Sequence, residues 1–263
     1  MLLENKNAVI YGGGGSVGGA VARAFAREGA KVFLAGRTVG AVEKLAQEIT
    51  AEGGEAEAAE VDALEEQAVD RHAEAVAERA GGIDVSFNAT RHGDIHGTPL
   101  IDMPFEDFAR PFANAIRAQF LTARAVARHM ARRGSGVILT ITATTARMAI
   151  PNVGSTGVTF DAIESLCRQL ACELGPLGIR VVWLQTTGLP EALADTGELF
   201  PDYGTGKRLS REEVIAWLQG ETMLNRLTSL AEVGNVAAFM ASDQASAMTA
   251  SAANITSGTA PTR

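Results

Sequence analysis

The chain has 263 residues, 46% of them apolar and 21% charged, with 31 Asp and Glu against 23 Lys and Arg and a formal net charge of −8. That is a globular composition, long enough for one large α/β domain or two small ones. The acidic balance excludes nucleic acid and anionic membrane as main partners, and no apolar run nears the ~20 residues of a spanning helix.

The chain opens Met1-Leu2-Leu3-Glu4-Asn5-Lys6, without the basic start, apolar run and small-residue cleavage site of a secretion signal, so a cytoplasmic location is expected. Ala8 to Tyr11 reads as a strand, followed by a glycine cluster and a helix from Val17 to Glu28 that Gly29 closes. Lys31 to Ala35 is the second strand. Val39 to Glu52 carries Val42, Leu45, Ala46 and Ile49 at helical spacing. A weaker strand, Glu55 to Val61, precedes a helix from Glu65 to Ala80, and Asp84 to Asn88 is the fourth strand. A loop rich in His, Gly and Pro (Thr90 to Pro104) leads to a long helix, Phe105 to Arg133. Val137 to Thr142 is the fifth strand. The next helix, Val158 to Leu174, has an apolar stripe at Ile163, Leu166, Cys167, Leu170, Ala171 and Leu174. Ile179 to Leu184 is the sixth strand. An irregular stretch with one or two helices (Pro190 to Gly220), a helix (Leu230 to Ala241) and a weak strand (Ala252 to Thr256) complete the chain.

Cys167 and Cys172 fall five apart on one helix, on different faces, which suits neither a disulfide nor a metal pair; both read as small buried apolar side chains. No repeat or linker-like tract divides the chain. Strict alternation of strand and helix predicts a single α/β domain over 1–263, doubly wound, with a mostly parallel seven-stranded sheet and helices on both faces. Ligands in such folds sit at the carboxyl ends of the strands, which gathers four segments at one mouth: Gly12–Gly19, Asn88–Pro104, Ala143–Thr156 and Gln185–Gly206.

Six of the eight residues from Gly12 to Gly19 are glycine, in the first strand-to-helix turn. Glycine lets backbone N–H groups approach a pyrophosphate, and the helix N-terminus adds partial positive charge. The second strand ends Ala35-Gly36-Arg37-Thr38, without the carboxylate that would hold a ribose 2′-hydroxyl of NAD(H). The Arg37 guanidinium offers a fork of donors for a 2′-phosphate, which favours NADP(H) over NAD(H); the competing reading is a solvated loop arginine.

With these features in place, the chain resembles the short-chain dehydrogenase/reductase family over essentially its full length. The family's T-G-x3-G-x-G loop aligns with Tyr11-Gly12-x3-Ser16-Val17-Gly18, matching at the first and third glycines. Its adenine-contacting aspartate after the third strand matches Asp62, and its N-N-A-G aligns with Asn88-Ala89-Thr90-Arg91, matching at Asn88. Leu170-Ala171-Cys172-Glu173-Leu174-Gly175-Pro176-Leu177-Gly178-Ile179-Arg180-Val181 looks very like the family's L-A-x-E-L-G-P-x-G-I-R-V, and Phe239-Met240-Ala241-Ser242-Asp243 resembles the start of its C-terminal block. The resemblance implies a Rossmann-type fold and a dinucleotide held by Gly12, Ser16, Val17, Gly18, Arg37, Thr38, Asp62, Ala63, Asn88 and Ala89. It also implies a small-molecule substrate and a homodimer or homotetramer formed through helices 105–133 and 158–174.

The same alignment puts Ala115, Ala143, Thr156 and Phe160 where members usually carry Asn, Ser, Tyr and Lys. A threonine hydroxyl is too weak an acid to be tuned as a tyrosine is by a neighbouring ammonium, and Phe160 carries neither charge nor donor. Tyr203-x3-Lys207 has the family's Tyr–Lys spacing but lies in a Gly-rich segment, within a region (189–224) expected to be a flexible substrate lid. At the mouth, His92 or His96, with Asp94, is the candidate replacement acid–base pair. No metal is expected, because Gly93 and Gly97 make this stretch a loop. Three functions stay open. One is an NADP(H)-dependent oxidoreductase with an unusual proton donor, acting on a C=O, C=C or C=N bond. The second is a non-redox dehydratase, cyclase or isomerase. The third is a catalytically silent cofactor-binding protein.

Overall fold

The computed structural model describes residues 1–194 and 196–260; Asp195, inside the 189–224 segment, and residues 261–263 lie outside the described residues. Seven strands, β1 (Asn7–Tyr11), β2 (Lys31–Gly36), β3 (Glu55–Glu60), β4 (Val85–Asn88), β5 (Gly136–Ala143), β6 (Ile179–Thr186) and β7 (Ser251–Asn254), form one sheet in the order β3-β2-β1-β4-β5-β6-β7. Every pairing is parallel. Among the described residues the α-helices are α1 (Ser16–Arg27), α2 (Val39–Ala51), α3 (Glu66–Ala80), α4 (Phe105–Arg133), α5 (Thr156–Leu174), α6 (Arg211–Gly220) and α7 (Leu230–Ala241).

Side chains on a strand alternate between faces, and here the alternation divides the core in two. Ala8 and Ile10, Val32 and Leu34, and Val182 and Leu184 pack with residues of α1, α2 and α7. Val9 and Tyr11, Phe33 and Ala35, and Val181 and Trp183 pack with α3, α4 and α5. The strand order reverses at β1, so a crevice opens between the β1 and β4 exits, where doubly wound sheets bind ligands.

Several expectations shift. α5 starts at Thr156, two residues earlier than its apolar stripe suggests, because Thr159 N–H donates to the Ser155 carbonyl at 2.8 Å. Cys167 is buried but Cys172 is exposed: a face that buries one cysteine turns the other outward. α5 sends Ile163, Cys167 and Ala171 into the protein's own core. Among its large apolar residues only Val158 is exposed, among the described residues. Within 189–224 the described residues carry regular elements. A short 3-10 turn (Pro190–Ala192) is followed by a hairpin closed by an antiparallel bridge between Phe200 and Leu209. α6 then starts from a capping box in which the Ser210 and Glu213 side chains each accept the other's backbone N–H. Among the described residues, no helix is long and apolar enough to cross a membrane.

Tyr11 ends β1 on the same face as Val9, so its ring is buried beneath α3, edge-on to His72 at 5.8 Å, and away from the glycine turn. Burial lowers the His72 pKa from 6.5 to about 4, and the Arg79 charge adds to it. A histidine protonated more readily in the unfolded chain takes stability away as pH falls. The contribution is complete above pH 6.5 and gone near pH 4, and on the order of 3 kcal/mol is at stake. Urea unfolding across that interval is expected to show this loss, and His72→Leu is expected to flatten it; an unchanged slope in the variant would assign the loss elsewhere.

Candidate active site

The glycine turn is built by close approach. Gly12 has φ +80°, and its N–H and that of Gly13 both donate to the Ala35 carbonyl at 2.9 and 3.1 Å. A Cβ on Gly12 would lie 2.6 Å from the Ala89 carbonyl oxygen, and one on Gly18 would lie 2.3 Å from that of Gly12. α1 therefore begins hard against β1 and the β4 exit. Its N-cap, Gly15, supplies no side-chain acceptor, and its first turn holds no acidic residue, so the first-turn N–H groups at Ser16, Val17 and Gly18 keep their positive end open.

At the neighbouring strand end, Arg37 and Thr38 are exposed, and among the described residues the Arg37 guanidinium has no ion pair or hydrogen bond. Asp62 is half-buried beyond β3, accepting the Leu64 N–H at 2.9 Å, with Ala63 buried beside it. Asn88 is placed differently. Its amide donates to Thr122 Oγ1 at 2.8 Å, and its Oδ1 accepts from Thr90 N–H and Oγ1, which pins the β4 exit onto α4. The side chain is spent on the scaffold, whereas Ala89 lies against the glycine turn.

The four positions singled out by the alignment land where their elements put them. Ala143 ends β5 opposite Thr186. Ala115 is buried in α4, Thr156 opens α5, and Phe160 lies one turn further on. The two histidines part company. His92 is buried with its ring edge-on to Phe160 at 6.0 Å, and its Nε2 has no hydrogen-bond partner among the described residues. His96 Nε2 lies 2.9 Å from Thr156 Oγ1. Asp94 hydrogen-bonds neither ring among the described residues; its negative charge opposes the burial that lowers both histidine pKa values.

Two features were not anticipated. Tyr203, at the hairpin tip, places its hydroxyl 3.3 Å from His96 Nδ1, while its ring stacks on Trp217 of α6 at 6.0 Å. Lys207, its partner in the Tyr-x3-Lys spacing, turns away to pair with Glu213 at 2.6 Å. The second is Glu164, a buried carboxylate on α5. It accepts from Thr142 Oγ1 at 3.0 Å and Gln185 Nε2 at 3.1 Å, and Arg147 approaches its other oxygen at 3.8 Å. Thr142, near the end of β5, thus serves to tie β5, β6 and α5 together. The signal was in the sequence, since Glu164 falls three residues before Cys167 on the apolar stripe.

Comparison with known proteins completes this picture. A family model described as enoyl-(acyl carrier protein) reductase matches residues 13–260. The 7alpha-hydroxysteroid dehydrogenase of Escherichia coli (strain K12) is 30% identical over 244 residues, covering 93% of this chain and 90% of the relative. The chain belongs to the short-chain dehydrogenase/reductase family. Among solved structures, an NAD+-bound xylitol dehydrogenase superimposes with a TM-score of 0.88 at 25% identity, covering 98% of this chain and all of the other. A 7 alpha-hydroxysteroid dehydrogenase complexed with NADH and 7-oxo glycochenodeoxycholic acid gives 0.82 at 26%, covering 98% and 95%.

Proposed function

We propose that this protein is an NADP(H)-dependent oxidoreductase acting on a C=O, C=C or C=N bond of a small organic substrate, or on the corresponding reduced form. Its acid–base unit is the Thr156–His96 pair, which stands in for the family's tyrosine. The 2.9 Å approach of His96 Nε2 to Thr156 Oγ1, at the position where members usually carry tyrosine, carries this reading. Ala115, Ala143 and Phe160 take the places of the usual asparagine, serine and lysine, so the position expected to carry an ammonium holds an uncharged ring.

The residues present fit a dinucleotide. The turn from Gly12 to Gly18 leaves no room for a Cβ at either end, and the uncapped start of α1 would hold the pyrophosphate. Arg37 and Thr38 would take the 2′-phosphate, Asp62 and Ala63 the adenine side, and Ala89 would border the ribose. The nicotinamide, when bound, supplies or accepts the hydride. The protein's own task is the proton. Thr156 Oγ1 presents a hydroxyl to the substrate oxygen, nitrogen or carbon that takes the proton, and His96 replaces or removes the proton on the other side of that hydroxyl. Self-association through α4 and α5 and closure of segment 189–224 over the substrate belong to the same reading.

Thermal-shift and calorimetric titrations with NADPH and NADH test it. NADPH is expected to stabilise the protein more than NADH, and stabilisation by neither would refute the reading. Arg37→Ala removes charge-assisted hydrogen bonds and is expected to weaken NADPH by about 10- to 100-fold while leaving NADH unchanged. Equal losses for both cofactors would count against the 2′-phosphate role.

A further inference from the structure

The hairpin 200–209 is held over the site by contacts whose combined effect is to position one hydroxyl. Asp202 Oδ1 accepts from the N–H groups of Gly204, Thr205 and Gly206 and from Thr205 Oγ1, which fixes the hairpin tip. Asn152 bridges two loops: its carbonyl accepts the Gly97 N–H at 2.7 Å, and its amide donates to the Asp202 carbonyl at 2.8 Å. Asn152 adopts φ +61° to do so, a backbone state most residues avoid. The hairpin also presses on the β5–α5 loop, since a Cβ on Gly204 would lie 2.8 Å from Pro151 Cγ. Trp217 backs the Tyr203 ring, stacked 12° from parallel. The result is a continuous line from Tyr203 Oη to His96 Nδ1 (3.3 Å) and from His96 Nε2 to Thr156 Oγ1 (2.9 Å).

We propose that Tyr203 is a positioning residue at the outer end of a proton relay, Tyr203–His96–Thr156, through which the hairpin connects the reacting hydroxyl to solvent. This rests on the Thr156–His96 reading above. A neutral imidazole has one N–H and one bare nitrogen, so its two contacts are complementary in either tautomer. In one, Tyr203 O–H donates to Nδ1 and Nε2–H donates to Thr156. In the other, Thr156 O–H donates to Nε2 and Nδ1–H donates to Tyr203. Passage from the first arrangement to the second moves one proton along the line and creates no net charge. When the substrate takes a proton, the Thr156 O–H bond breaks, Nε2–H passes to Thr156 Oγ1, Tyr203 O–H passes to Nδ1, and water reprotonates Tyr203. When the substrate loses a proton, each transfer runs backwards. Family-type delivery through a lysine has no counterpart here, and the half-buried Tyr203 joins the buried Thr156 to water.

Tyr203→Phe removes the hydroxyl and keeps the ring that stacks on Trp217. Imidazole nitrogen NMR on the protein without cofactor reads the first half of the test. The variant is expected to shift the His96 tautomer ratio and leave His72, His92 and His129 unchanged. An unchanged His96 pattern would show that the Tyr203 contact is absent in solution and would overturn the relay. Turnover reads the second half, with NADPH and whichever carbonyl compound of a broad panel the wild type reduces. Tyr203→Phe is expected to lower kcat about tenfold with KM little changed, and added imidazole buffer is expected to restore much of the loss. A shifted tautomer with unchanged kcat would leave Tyr203 as ring support only and overturn the relay. Thr156→Val separates the two readings. If it too leaves kcat unchanged, the Thr156–His96 assignment itself fails; if it lowers kcat and Tyr203→Phe does not, only the relay fails.

Discussion

Thr156→Val lowers turnover by about 10²- to 10⁴-fold, the range expected when a positioned acid–base group is removed, and stability changes little by comparison. Valine keeps the branched shape at the start of α5 and deletes only the oxygen that faces His96 Nε2 at 2.9 Å. His96→Phe falls in the same range, and the double variant is no slower than the worse single one, because the two side chains act on one proton. Steady-state rates for the four proteins check all three statements, and rates within twofold of wild type would remove the pair from the mechanism. The pH dependence carries its own sign. Burial holds the His96 pKa below the ordinary 6.5, with the Asp94 charge partly opposing it, and Tyr203 Oη is the other titratable group at the ring. The ring is therefore neutral at pH 7 and poised to accept a proton. Oxidation of a hydroxyl is expected to decline as pH falls through the lowered pKa, and reduction is expected to rise over the same interval. His96→Phe should abolish both limbs.

The strands, helices and glycine turn were legible because each is written in neighbouring residues. Helical spacing at Val42, Leu45, Ala46 and Ile49 buries all four. Six glycines in eight residues mark the turn where two hypothetical Cβ atoms collide with backbone. The direction of Tyr11 is also legible, from its parity with Val9 on β1. The surroundings of His96 are half legible. The sequence singles out His92 or His96, with Asp94, whereas the His96 ring meets Thr156 and Tyr203, 60 and 107 residues distant. No local pattern encodes such contacts: they arise when the β4, β5 and β6 exits converge and Asn152 ties their loops together. Tyr203 shows the same limit in reverse. Its spacing from Lys207 resembled a motif, yet the hairpin sends the lysine to Glu213 and the tyrosine to His96.

Gly18→Ala is expected to be among the most damaging single-methyl changes in the protein, costing about 3 kcal/mol or more in stability and abolishing dinucleotide binding. The added Cβ would sit 2.3 Å from the Gly12 carbonyl oxygen and 2.9 Å from the carbonyl carbon, both backbone atoms on a turn that cannot retreat. Retreat is blocked because Gly12 holds φ +80°, donates to Ala35, and lies under the Ala89 carbonyl on the far side. α1 must therefore move outward, which opens the core around Val21, Ala22 and Phe25 and tilts the first-turn N–H groups away from the pyrophosphate position. Two controls separate this clash from the general effect of replacing glycine. Gly15→Ala meets only the Gly12 carbonyl oxygen at 3.4 Å, and Gly40→Ala, within α2, meets nothing within 4 Å. Gly40→Ala is expected to stabilise the protein by up to about 1 kcal/mol through helix propensity. Urea midpoints give the order Gly40→Ala above wild type, Gly15→Ala near it and Gly18→Ala far below, and in NADPH titration of the folded variants binding is expected to be kept in Gly40→Ala and lost in Gly18→Ala. A Gly18→Ala protein that unfolds like wild type would mean that the turn yields, and that α1 does not depend on the contact its sequence leaves room for.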